Sequence, residues 1–155
     1  MKRKCNIIIA TVLLLFSLFF SLPACSQSGE TKVVLVENND TMVVMKIQST
    51  DGNATAFDAL KRLQDEGKIT FTCTVSEYGA MIESIGDKQN VSSTTEGYSW
   101  MLYTSDTEMA STEFGSVSFQ GQTFGQTAVG ASLLKVKEGE YYVWSYDYWN
   151  MSNWG

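Results

Sequence analysis

Residue types that commonly carry chemistry are scarce in this chain. Its 155 residues include no histidine. That excludes a Ser/His/Asp or Cys/His nucleophile system and the His-rich ligand sets of transition-metal sites. Asp106 and Glu108 are carboxylates close in sequence, and a solvated loop accounts for them. No acidic stretch has the ligand spacing of a calcium loop. The residues point to binding, with no enzyme activity, no catalytic residue and no metal expected.

Aromatic side chains are the surplus. In Gly97-Tyr98-Ser99-Trp100-Met101-Leu102-Tyr103, Tyr98, Trp100 and Leu102 share one face of an alternating stretch. A second such stretch, Tyr141 to Trp149, closes the chain. Aromatic rings offer wide, flat contact area with little rotamer entropy to lose. Tyr98, Trp100, Trp144, Tyr146, Tyr148 and Trp149 are therefore candidate ligand-binding residues. Gln120 and Gln122, in the neutral, amide-rich stretch Gln120 to Gln126, are candidate hydrogen-bonding partners. A second reading stands beside this one. Tyr98, Trp100, Tyr142, Trp144 and Tyr146 also suit a core under a helix, and the glutamine-rich stretch a hairpin tip. Tyr148, Trp149 and Trp154 are harder to bury and are candidates for an exposed contact surface.

The N-terminus supplies one residue with covalent chemistry. Met1-Lys2-Arg3-Lys4 is basic, Ile7 to Phe20 is almost wholly apolar, and Leu22-Pro23-Ala24-Cys25 follows. This is the layout of a secretory signal peptide. The apolar run is shorter than the roughly 20 residues that span a bilayer. Leu22-Pro23-Ala24-Cys25 resembles the bacterial lipobox, which implies cleavage before Cys25 and lipidation of its thiol. The expected organisation is a lipoprotein signal peptide at 1–24, a flexible tether at 25–31 and one domain at 32–155. Two or more acyl chains give stable anchoring, so the expected location is the extracytoplasmic face of the cell membrane. Cys5 leaves with the leader and Cys25 is acylated. Cys73 then stands alone, without a disulfide partner, on the apolar face of its strand, where a buried, inert thiol is expected. The formal charge of −6 becomes −9 once the three basic residues of the leader are removed. Such acidity argues against nucleic acid as a partner, because that binding needs a basic face.

These residues must be positioned by a modest domain. Lys32 to Leu35 and Thr41 to Gln48 read as a hairpin around Glu37-Asn38-Asn39-Asp40. Thr55 with Asp58 forms a capping box, and Ala56, Ala59, Leu60 and Leu63 fall on one helical face. Ile69, Phe71, Cys73 and Val75 alternate with polar residues as a strand, and Tyr78 to Ile85 reads as another. The stretch 104–131 reads as largely irregular, with a short edge strand at Phe114 to Phe119. Short strands around one amphipathic helix make an α+β domain.

Four blocks then resemble the transcobalamin-like C-terminal domain found in bacterial surface lipoproteins. They are Thr55-Ala56-Phe57-Asp58-Ala59-Leu60-Lys61-Arg62-Leu63, Tyr78 to Gly86, Gly97-Tyr98-Ser99-Trp100 and Leu134 to Tyr146, in the family's order. The resemblance implies a single β-grasp-like domain, with a mixed sheet packed on one helix. It also implies a non-catalytic domain that captures cobalamin or another corrinoid as a transported ligand, not as a cofactor. A transporter or a second binding protein would then be the partner. The chain departs from the family after Tyr103, where 104–131 replaces a short Asn-Gly hairpin. A surface module for adhesion or protein–protein contact is the alternative function.

Overall fold

The computed structural model describes residues 30–153. The expected signal peptide, Cys25 and Trp154 lie outside the described residues. Strands β1 (Lys32–Asn39) and β2 (Met42–Ser49) form the expected hairpin. Asn39 closes it: its side-chain oxygen accepts from the N–H groups of Thr41 at 3.0 Å and Met42 at 2.9 Å, an Asx turn. Helix α1 (Ala56–Asp65) starts at the expected capping box. Asp58 N–H donates to Thr55 Oγ1 at 3.2 Å, and Thr55 N–H donates to Asp58 Oδ2 at 2.9 Å. Ala56, Ala59, Leu60 and Leu63 are its buried stripe.

The remaining elements are β3 (Phe71–Ser76), β4 (Gly79–Ile85), β5 (Lys88–Gln89), β6 (Val91–Ser92), β7 (Glu96–Thr104), β8 (Ala110–Phe119), β9 (Gln122–Thr127) and β10 (Tyr141–Asn150). A short 3-10 turn, Met151–Asn153, follows β10. The larger sheet has the order β1-β2-β10-β7-β9-β8, with β6 also on β7, and β3-β4-β5 form a second sheet. Every pairing is antiparallel.

This corrects the α+β expectation and the β-grasp-like architecture. The described residues are mostly strand, in two antiparallel sheets, with one short helix. Strands β8 and β9 lie within 104–131, the stretch read as an irregular insertion. Their pattern is weak for a physical reason. Strand β8 is an edge strand with no fully buried residue, and its register shifts between Ser111 and Ser116. Gly115, at φ 138°, sits in that irregular segment.

The larger sheet is covered on both faces. One face packs Val43, Met45, Ile47, Leu102, Tyr142 and Trp144 against α1 and the small sheet. The other buries Val44, Tyr103, Phe124 and Val143, with Met101, Val117 and Tyr141 around them. Cys73 is also corrected: its thiol is unpaired but half-buried. The outer end of β3 leaves the core, and Val75 is 72% exposed.

Candidate ligand cleft

Strand β10 pairs with β7 along its length, from Tyr142 opposite Thr104 to Asn150 opposite Glu96. On its other edge β7 is covered only in part. Strand β6 pairs with Gly97 and Tyr98, and β9 with Tyr103 and Thr104. Ser99, Trp100, Met101 and Leu102 have no strand partner on that side. A cleft of about 770 Å³ opens there. It is lined by Trp100, Trp144 and Trp149, by Met81, Met101 and Met151, and by small or neutral polar residues that include Asn90, Ser99 and Gln126. None of the described residues that line it is charged.

The cleft crosses an edge, so it gathers residues from both faces of the sheet. Trp100, Leu102 and Trp144 belong to the helix-side face, and Ser99, Met101 and Trp149 to the opposite one. Each indole is held differently. Trp100 Nε1 donates to Lys88 C=O at 3.0 Å, and Trp149 Nε1 donates to Ser99 Oγ at 3.0 Å. Trp144 Nε1 is buried without an acceptor. Asn90 ties the small sheet to the open edge. Its Nδ2 donates to Ile82 C=O at 2.8 Å, and its Oδ1 accepts from Trp100 N–H at 3.0 Å. Gly97 lets Trp149 lie close: a Cβ there would stand 3.1 Å from Trp149 Cζ2.

Of the expected site residues, Trp100, Trp144 and Trp149 come together in the cleft. Tyr98, Tyr146 and Tyr148 lie beside them on the helix-side face, with Tyr98 stacked on Tyr146 and tilted against Tyr148. Tyr146 is 5.4 Å from Trp100 and 5.6 Å from Tyr98, and Tyr98 is 5.3 Å from Tyr148, between ring centroids. Tyr98 and Tyr148 nevertheless stay about half-exposed, at 47% and 50%. The Tyr148 hydroxyl donates to the Glu96 carboxylate, which raises the phenol's pKa. Gln120 and Gln122 flank Gly121 at the β8–β9 hairpin turn, where Gln120 takes φ 49° and Gly121 φ 78°. Neither lines the cleft, whereas Gln126 of the same stretch does. Met81, Asn90, Ser99, Met101 and Met151 were not singled out by residue type. Only the strand register brings them to one place.

Of the Asp106/Glu108 pair, only Glu108 is solvated as expected, its side chain 79% exposed. Asp106 is buried, and Lys137 Nζ lies 2.9 Å from its Oδ2. The carboxylates of Glu108 and Asp106 together hold the Lys137 ammonium above its ordinary pKa. This ion pair fastens the β7–β8 connection to the segment entering β10. On the sheet face opposite the helix, Tyr103 Oη donates to Asp147 Oδ2 at 2.5 Å. Burial, then that carboxylate, raises the phenol's pKa. Both arrangements are structural, and neither borders the cleft.

The fold and site thus define an antiparallel β protein with an uncharged, indole-lined cleft at an interrupted strand edge. No protein-family model, curated protein or solved structure matches the chain.

Proposed function

We propose that the chain is a lipid-anchored extracytoplasmic protein whose β domain captures a neutral, ring-bearing small molecule. The observation that carries this reading is the convergence of Trp100, Trp144 and Trp149 on a cleft of about 770 Å³ with no charged lining residue. Small-molecule sites are typically concave, mainly apolar and about 300–1,000 Å³, with a few polar groups for orientation. The ligand implied by the family resemblance, a corrinoid, is the first to test. Its delivery to a transporter or a second binding protein would complete the role. With no histidine in the chain, a bound corrinoid would keep its own or a water axial ligand.

Isothermal calorimetry of the mature domain with cobalamin and cobinamide tests the reading. Saturable binding is expected at micromolar concentration, weakened about tenfold or more by Trp149→Ala with little change in melting temperature. No saturable heat from either compound at high micromolar concentration would remove the corrinoid. The anchor has its own test. Cys25→Ser is expected to release the protein from membranes or leave an uncut precursor, followed by metabolic labelling with a fatty-acid analogue. Equal labelling of wild type and variant would refute lipidation at Cys25.

A second reading, a protein-contact module, is favoured by one observation. Val75 is 72%, Tyr78 86% and Met81 62% exposed on the β3–β4 hairpin, and Met81 also lines the cleft. Large apolar side chains left exposed on one hairpin suit a contact surface. A partner that receives the ligand would dock there, beside the cleft.

A further inference from the structure

The open edge of β7 offers a hydrogen-bonding pattern as well as an apolar wall. Trp100 N–H donates to Asn90 Oδ1, and Asn90 directly precedes β6, on the side of β7 away from β10. Backbone polar groups alternate between the two edges of an antiparallel strand, and the N–H and C=O of one residue share an edge. Trp100 C=O and Leu102 N–H therefore face the cleft side as well. The registers of β6 and β9 stop at Tyr98 and Tyr103, so neither strand pairs with Trp100 or Leu102. Both residues are buried, at 6% and 7% exposure, and buried backbone groups need partners. Trp144 Nε1 is a further buried donor without an acceptor.

We propose that the cleft receives a neutral planar heterocycle bearing a hydrogen-bond donor and acceptor side by side, as on the edge of a purine, pterin or flavin ring. The ring docks edge-on against Trp100 C=O and Leu102 N–H, with its faces on the indoles. This rests on the cleft being the ligand site. An acceptor at one residue and a donor two residues on match adjacent donor and acceptor atoms of such a ring. An added peptide strand fits less well. The lane beside β7 is closed by β6 and β9 at its two ends, leaving four residues, Ser99 to Leu102. That is about 13 Å at the strand rise, shorter than an ordinary strand. The uncharged lining selects the free base or nucleoside over the phosphorylated form, because a buried phosphate would have no counter-charge.

The test uses the full-length protein in nanodiscs, titrated with adenosine, guanosine and riboflavin. Each ring that binds is compared with an analogue whose edge donor is blocked by methylation and with its monophosphate. N6,N6-dimethyladenosine and 3-methylriboflavin are two such analogues. At least one parent ring is expected to bind, with both its methylated and its phosphorylated forms about tenfold weaker or worse. Gly130→Trp and Ala128→Trp are expected to abolish binding with unchanged melting temperature. Both positions are exposed and line the cleft, and a Cβ at Gly130 meets nothing within 4 Å. Equal affinity for parent and methylated analogue overturns edge recognition while leaving the cleft a ligand site. Binding of none of the three rings overturns this proposal, and cobinamide binding blocked by Gly130→Trp would still uphold the cleft. Ring binding unaffected by either tryptophan overturns both readings.

Discussion

Phe124→Ala should lower the stability of the domain by about 3–5 kcal/mol, the usual range for deleting a fully buried phenyl ring. Phe124 is 1% exposed and packs with Val44, Tyr103 and Val143 on the sheet face opposite the helix. Its ring centroid lies 6.1 Å from that of Tyr141. Urea unfolding should show a lower midpoint at an unchanged slope. The result decides what 104–131 is. In a surface insertion the same change would stay within about 0.5 kcal/mol. A wild-type midpoint would mean that β8 and β9 do not close a second core.

Gly97→Ala comes next in size, and it acts on the cleft directly. A Cβ at Gly97 would stand 2.3 Å from Val91 O and 2.8 Å from Ser92 Cα. These are backbone atoms and cannot rotate aside. Strand β6 has only two residues, so it should detach from β7 before β7 yields. We expect a loss of about 1–3 kcal/mol, as for other overpacked sites. A red shift in tryptophan emission should accompany it as Trp149 loses its seat, together with loss of ligand binding. Gly130→Ala is the control, since its Cβ meets nothing within 4 Å and its backbone is not left-handed. Wild-type emission and melting temperature in Gly97→Ala would show that β6 does not form that wall.

Features that depend on near neighbours were legible in the sequence. The capping box at Thr55 and Asp58 and the stripe Ala56, Ala59, Leu60 and Leu63 lie within two turns of helix. The alternation of β7 and β10 is similarly local, and it singled out Trp100, Trp144 and Trp149 as candidates. Their meeting place was not legible. Strand parity puts Trp144 and Trp149 on opposite faces, and only a cleft that crosses an edge can join them. That edge is open because β6 begins only at Val91 and β9 ends at Thr127, and neither limit is marked within Ser99 to Leu102. Gln120 and Gln122 were chosen on composition, yet the hairpin turn carries them away from the cleft and leaves Gln126 at it. The fold class failed for a related reason. Phe124 alone carries the burial signal of β9, and an edge strand such as β8 shows no clean alternation.

The position of β10 has a consequence for the order in which the molecule can be made. The last strand of the chain lies between β2 and β7 in the larger sheet. Until residues 141–150 are available, the β1–β2 hairpin has no link through the sheet to β7, and β7 lacks the neighbour that pairs with all of its residues. A chain emerging N-terminus first therefore cannot complete the larger sheet until residues 141–150 have been made. Long-range pairing of this kind also forms slowly. Residues 141–150 are therefore the segment whose arrival joins the two halves of the larger sheet.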